Sequence, residues 1–181
     1  MSKDSEVVGF RHLSSSDRIT QFECGDSDLN DFIMTDAPHY QQKMLAENYV
    51  LENEDSVLAY FSIMNDRIGV ENFENKTAFN KFRRSLFVNA KRLRGYPAVK
   101  IGRLAVRKND SRKGYGSIIL DFIKMMLVSE RTSACRFIVV DAYKDAIQFY
   151  EKNGFSILSA GESRSRTCLM YFDLMELRLP A

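Results

Sequence analysis

Apolar residues along this chain fall either into short continuous runs or at helical intervals, and these two patterns mark out its elements. The opening run, Val7 to Leu13, fits a strand. In Cys24-Gly25-Asp26-Ser27-Asp28-Leu29-Asn30-Asp31-Phe32-Ile33, the apolar Leu29, Phe32 and Ile33 recur at helical spacing, with Asp26 or Ser27 placed to cap the helix. Pro38 has no N–H to give to a helix and is predicted to divide this one from a second turn or short helix through Ala46. Tyr49-Val50-Leu51 and Val57 to Ile63 flank the polar Glu52 to Ser56, which reads as a hairpin.

The middle of the chain, Asn65 to Tyr96, has a weaker pattern, with a helix predicted around Lys76 to Phe87. Pro97 precedes a strand, Ala98 to Val106, in which Gly102 marks a bulge or a close backbone approach. The loop Arg107 to Lys113 leads into Gly114-Tyr115-Gly116. A strongly apolar helix then starts at about Ser117 and carries Ile118, Ile119, Leu120, Phe122 and Ile123. Phe137 to Val140 reads as a short buried strand ending at Asp141, whose carboxylate is expected to cap the next helix or to orient a water or a bound group. That helix, with Ala146, Ile147, Phe149 and Tyr150, closes on Asn153-Gly154, a left-handed C-cap. Phe155 to Leu158 and Leu169 to Leu177 read as final strands. Strand and helix alternate in this half, which argues for an α/β sheet. No repeat or linker interrupts the chain, so residues 1–181 are expected to form one domain.

Composition changes this picture little. The 181 residues are 45% hydrophobic and 28% charged, with a formal charge of +2, too near neutral to argue for a polyanionic partner. The distribution of charge says more. Lys81, Arg83, Arg84, Lys91, Arg92 and Arg94 lie close together, followed by Arg103, Arg107, Lys108, Arg112 and Lys113, either as a solvated face or as an anion-binding surface. Cys24, Cys135 and Cys168 are far apart, as are His12 and His39, and no metal-ligand spacing occurs. Met1 to Glu6 has no apolar segment behind it, and no stretch reaches membrane-spanning length. A reduced, cytoplasmic protein without a metal is expected.

The chemistry centres on strand, glycine loop and helix: Leu104-Ala105-Val106, then Arg112-Lys113-Gly114-Tyr115-Gly116, then Ser117. A helix N-terminus presents N–H groups without intrahelical partners, and glycines let a pyrophosphate approach them closely. Arg112 and Lys113 add positive charge. A lone Gly-x-Gly is also compatible with a simple tight turn. The chain has neither the three glycines of a dinucleotide fingerprint nor the Gly-Lys-Ser/Thr of a P-loop.

Three segments together carry a resemblance. They are Gly102 to Val106 with the glycine loop, Asp141-Ala142 followed by Ala146 to Phe155, and the early Phe22-Glu23-Cys24-Gly25 with Leu29 to Phe32 and Ala37. The chain resembles the GNAT (GCN5-related) N-acetyltransferase superfamily, and in particular the branch with toxins that acetylate the amino group of aminoacyl-tRNA. The resemblance implies a mixed, mostly antiparallel sheet of six to seven strands flanked by helices and splayed beside the strand that binds acetyl-CoA.

It also implies acetyl-CoA as cosubstrate, with pantetheine hydrogen-bonded to the strand around Leu104, Ala105 and Val106. The pyrophosphate would lie on N–H groups of Arg112, Lys113, Gly114, Tyr115, Gly116 and Ser117. The amine would attack the thioester directly, a strand N–H would stabilise the oxyanion, and Tyr150 would protonate the departing thiolate. The structural alternative for Tyr150 is a core tyrosine beside Phe149. Two positions depart from the family pattern: Ser111 stands where a Gln or Arg is usual, and Tyr143 where many members carry Asn.

No acidic residue lies between Val99 and Val106, so a strand glutamate base is not evident. An α-amino group, with a pKa near ~8, loses its proton more easily than a lysine side chain near ~10, which favours α-amino or aminoacyl acceptors. The toxin branch further implies tRNA, a small antitoxin protein and a homodimer as partners. Two other readings stay open: a non-catalytic acyl-CoA-binding or interaction module, and a nucleic-acid-binding module using Lys81 to Arg94.

Overall fold

The computed structural model describes residues 7–87, 93–129, 134–159 and 165–177. Met1 to Glu6, and Lys91 and Arg92 of the basic run, lie outside the described residues. Seven strands form one sheet in the order β1-β2-β3-β4-β5-β7-β6. They are β1 (Gly9–His12), β2 (Glu47–Glu52), β3 (Val57–Gly69), β4 (Gly95–Val106), β5 (Phe137–Tyr143), β6 (Ser156–Ser159) and β7 (Thr167–Asp173). The helices are α1 (Ser27–Asp31), α2 (Ala37–Gln42), α3 (Lys76–Leu86), α4 (Tyr115–Ser129) and α5 (Ile147–Lys152). This is the expected mixed α/β sheet with flanking helices. Its contacts divide it into two compact units, Met1–Met64 with Ile101–Ile123, and Asn65–Lys100 with Lys124–Ala181.

In the first unit β1 pairs antiparallel with β2, and β2 with β3 through the expected hairpin. Asn53 turns the hairpin, its Oδ1 accepting the N–H groups of Asp55 and Ser56. Asp26 caps α1 by accepting the N–H groups of Asp28 and Leu29. Pro38 does not divide two helices. It sits in the first turn of α2, where a missing N–H costs least, and a π-helical turn, Phe32–Asp36, joins α1 to α2 directly. Phe22, Phe32, Ile33, Ala37, Val50, Tyr60 and Ala105 close into one buried cluster. It fixes these helices against the strand that ends at Val106.

In the second unit β5 pairs antiparallel with β7, and β7 with β6. A second buried cluster holds Phe79 of α3 with Ile68, Tyr96, Ala98, Phe137 and Val139. Several strands outrun their predicted ends. β3 continues to Gly69, β4 begins at Gly95 and takes in Pro97, and β5 continues to Tyr143. Pro97 has no N–H to give, but its carbonyl accepts the N–H of Arg136 at 2.9 Å. The chain after Asp173 is a 3₁₀ turn, Leu174–Leu177, where a strand through Leu177 was expected. There Asp173 Oδ1 accepts the N–H of Met175 and so diverts the backbone into the turn.

Candidate active site

The end of β4 has the alternation that a half-buried strand requires. Ala105 packs into the first cluster, while Leu104 and Val106 are half-buried. At the end of the strand the N–H of Arg107 donates to the carbonyl of Leu58 at 2.8 Å. Gly102 lies within β4 against the side chain of Met64. A β-carbon there would lie 2.6 Å from the terminal methyl of Met64, which would have to shift to admit it.

The loop that follows is braced from within. A 3₁₀ turn, Lys108–Asp110, is closed by the N–H of Asp110 to Arg107 O at 2.9 Å and continued by Ser111 to Lys108 O at 3.3 Å. The carboxylate of Asp110, only 4% exposed, pairs with the guanidinium of Arg107 and with Lys113 Nζ at 2.7 Å. Burial acts to raise the Asp110 pKa, but the hydrogen bonds and charges of Arg107 and Lys113 outweigh it and hold the carboxyl below its ordinary range. Arg107 also donates to Ser56 Oγ at 2.7 Å, and the N–H of Lys108 to Glu23 O at 2.8 Å. Arg112, at φ 66°, and Gly114, at φ 88°, both occupy the left-handed region. That is ordinary for glycine and strained for arginine, a combination that turns the backbone sharply just before α4.

Ile118 makes the first helical bond, to Gly114 O at 3.1 Å. Among the described residues no intramolecular bond engages the N–H groups of Arg112, Gly114, Tyr115, Gly116 or Ser117. Lys113 differs: its N–H reaches Asp110 O at 3.3 Å and its ammonium the Asp110 carboxylate. Five free donors around two left-handed residues at a helix N-terminus make an arrangement suited to an anion. Sequence reasoning missed Asp110. The available signal was its spacing, three residues from both Arg107 and Lys113.

The glycine loop belongs to the first unit and Tyr150 to the second. Tyr150 lies on α5, is 6% exposed, and meets the rings of Phe149 and Phe155 edge-on at 5.0 and 5.4 Å. Burial pushes its phenol well above the ordinary tyrosine value, so it is neutral at working pH. Among the described residues its hydroxyl makes no hydrogen bond. The turn after it is tied firmly. The N–H groups of Asn153 and Phe155 both reach Tyr150 O at 3.0 Å, Gly154 takes φ 84°, and the buried Lys124 Nζ donates to Asn153 O at 2.8 Å. Asp141 does not cap the following helix. It is still within β5, and its carboxylate pairs with Lys100 Nζ at 2.6 Å. Ser111 and Tyr143, the two departures from the family pattern, are both exposed. Among the described residues no group of His, Cys, Asp and Glu is arranged to hold a metal, and no helix is long and apolar enough to cross a membrane.

Residues 46–157 match the family model described as the acetyltransferase (GNAT) domain, a span that contains the strand, the glycine loop and Tyr150. The chain belongs to the GNAT acetyltransferase family. It is an acetyl-CoA-dependent N-acetyltransferase. Nothing among the curated proteins compared matches it. Similar solved structures include a bacterial toxin, with a TM-score of 0.76 at 16% identity, covering 95% of this chain and 93% of that one. Another is AtaT complexed with acetyl-methionyl-tRNAfMet, with a TM-score of 0.71 at 18% identity over 94% and 97% of the two chains. A third is a tyrosine-to-phenylalanine mutant of the AtaT toxin bound to the C-terminus of the antitoxin AtaR and acetyl-CoA, with a TM-score of 0.65 at 19% identity over 94% and 97%. At these identities the likeness is one of fold.

Proposed function

We propose that this acetyltransferase acts on the α-amino group of aminoacyl-tRNA. The observation that carries this reading is a cavity of 790 Å³ in the second unit, lined by the cations Arg67, Lys76, Arg83, Arg84 and Arg94 against the single carboxylate of Glu71. Arg67 is occupied by Glu71 at 2.9 Å, and the excess charge beyond that pair suits a phosphodiester backbone. The whole-length likeness to a protein complexed with acetyl-methionyl-tRNAfMet agrees with it. A small antitoxin is the expected protein partner and the cytoplasm the expected site of action.

Bound acetyl-CoA supplies the thioester carbonyl. The backbone around Leu104, Ala105 and Val106 holds the pantetheine arm. The free N–H groups of Arg112, Gly114, Tyr115, Gly116 and Ser117 hold the pyrophosphate, with Lys113 tying the loop to Asp110. A strand N–H faces the oxygen on which negative charge develops. Tyr150 holds its proton until the sulfur departs. The desolvation that raises the phenol's pKa in the folded protein also makes a thiolate more basic, which keeps the proton transfer feasible.

The test is transfer of label from acetyl-CoA to charged and to deacylated tRNA across a range of salt. Label entering only the charged tRNA, with affinity falling steeply as salt rises, supports the reading. Equal labelling of proteins or small amines with no effect of tRNA would overturn it.

A further inference from the structure

Arg103 immediately precedes the strand segment assigned to the donor, and its charge is unaccounted for. Its guanidinium carbon sits 4.8 Å above the ring of Phe32, at the start of the π-helical turn. Its only hydrogen bond among the described residues runs from Nη1 to Gly102 O at 2.9 Å, and its Nε is buried without a partner. Among the described residues no carboxylate lies within ion-pair distance of Arg103. Glu23 accepts from Gly25 N–H and Asn30 Nδ2, and Asp26 caps α1. A partly buried guanidinium without a counter-ion is costly, and such groups are normally paired. Stacking on Phe32 fixes the plane of the guanidinium while leaving donors of its fork for an oxyanion.

The donor offers no candidate for that anion near Arg103. Pantetheine is neutral, the pyrophosphate is assigned to the N–H groups from Arg112 onward, and the 3′-phosphate belongs to the adenosine end of the coenzyme, beyond the pyrophosphate. We propose that Arg103 recognises the acceptor, taking a phosphate or carboxylate that the acceptor carries close to its amine. This rests on the acetyltransferase assignment and not on the choice of tRNA.

The experiment compares the wild type with Arg103→Met, which keeps the aliphatic length over Phe32, on two acceptor pairs. One pair is 3′-aminoacyl-adenosine with and without a 5′-phosphate; the other is a free amino acid and its amide. The wild type should prefer the anionic member of one pair, and which pair identifies the source of the anion. Arg103→Met should lower kcat/KM for that member about 10- to 100-fold and erase the preference, as loss of a charged hydrogen bond would. Its melting temperature should not fall, and its affinity for acetyl-CoA should not change. A wild type without preference in either pair, or a variant equally impaired on neutral and anionic acceptors, would overturn the proposal. A carboxylate preference lost in Arg103→Met, together with no transfer to aminoacyl-tRNA, would remove the tRNA reading and leave this one standing.

Discussion

Two side chains give the proposed mechanism its sharpest tests at the residue scale. Tyr150 has a phenol that makes no hydrogen bond among the described residues and is held neutral by burial. Tyr150→Phe removes one oxygen and leaves the ring contacts with Phe149 and Phe155 in place. Its kcat should fall by about 10²-fold or more, the range for loss of a general acid, while acetyl-CoA affinity stays constant. Unchanged kcat would make Tyr150 a core residue and no more. Because the raised pKa keeps the phenol protonated, kcat should show no loss through tyrosine ionisation up to about pH 10, the ordinary tyrosine value.

Asp110 acts through the loop. Its folded pKa is lowered, so its stabilising contribution is complete above the ordinary aspartate pKa of about 4 and is lost as pH falls through the lower folded value. Thermal melts of wild type and Asp110→Asn across pH should differ at neutrality and converge in acid. Calorimetry should also find acetyl-CoA binding weakened in the variant, since Lys113 and Arg107 lose their common partner.

Conformation can be separated from packing at the scale of elements. Gly114 and Gly154 both have left-handed φ, 88° and 84°, but a β-carbon at Gly114 meets nothing within 4 Å, whereas at Gly154 it lies 3.0 Å from the Phe172 ring. Gly114→Ala should cost about 1 kcal/mol from backbone strain alone, and Gly154→Ala more than that, measured by denaturant unfolding. The reverse order would mean that the turn after α5 yields more easily than its hydrogen bonds suggest.

These elements also show what was legible in the sequence. The Asp26 cap, the hairpin around Asn53, the start of α4 and the Gly154 turn depend on local chemistry, and local chemistry is written in consecutive residues. The strand ends at Gly69 and Gly95 and the π turn before Pro38 depend on partners distant in sequence. Asp141 misled for the same reason, because a strand-end carboxylate reads as a cap until Lys100 is known to be its neighbour.

The whole chain combines a family that implies acetyl-CoA as donor with an acceptor that only its own residues can define. The strand through Val106 and the turn into α4 were readable as structure because glycines and a helix start are written in consecutive residues, and the proposed coenzyme contacts rest on that local structure. The basic cavity was only partly readable: Arg83, Arg84 and Arg94 stood out as a run, but Arg67 and Lys76 join them through folding alone. Arg83→Glu with Arg84→Glu should therefore flatten the salt dependence of tRNA binding, by about one unit of slope for each phosphate no longer neutralised, without changing acetyl-CoA binding. An unaltered slope would place the RNA elsewhere.

The most direct measurement is a single turnover of purified protein with acetyl-CoA and charged tRNA. Free thiol and N-acetylated aminoacyl-adenosine are quantified together after nuclease digestion. One thiol released for each acetylated α-amine, at a rate that collapses in Tyr150→Phe, is the expected result. Thiol released without acetylated amine, or no thiol at saturating acetyl-CoA, would contradict the central claim.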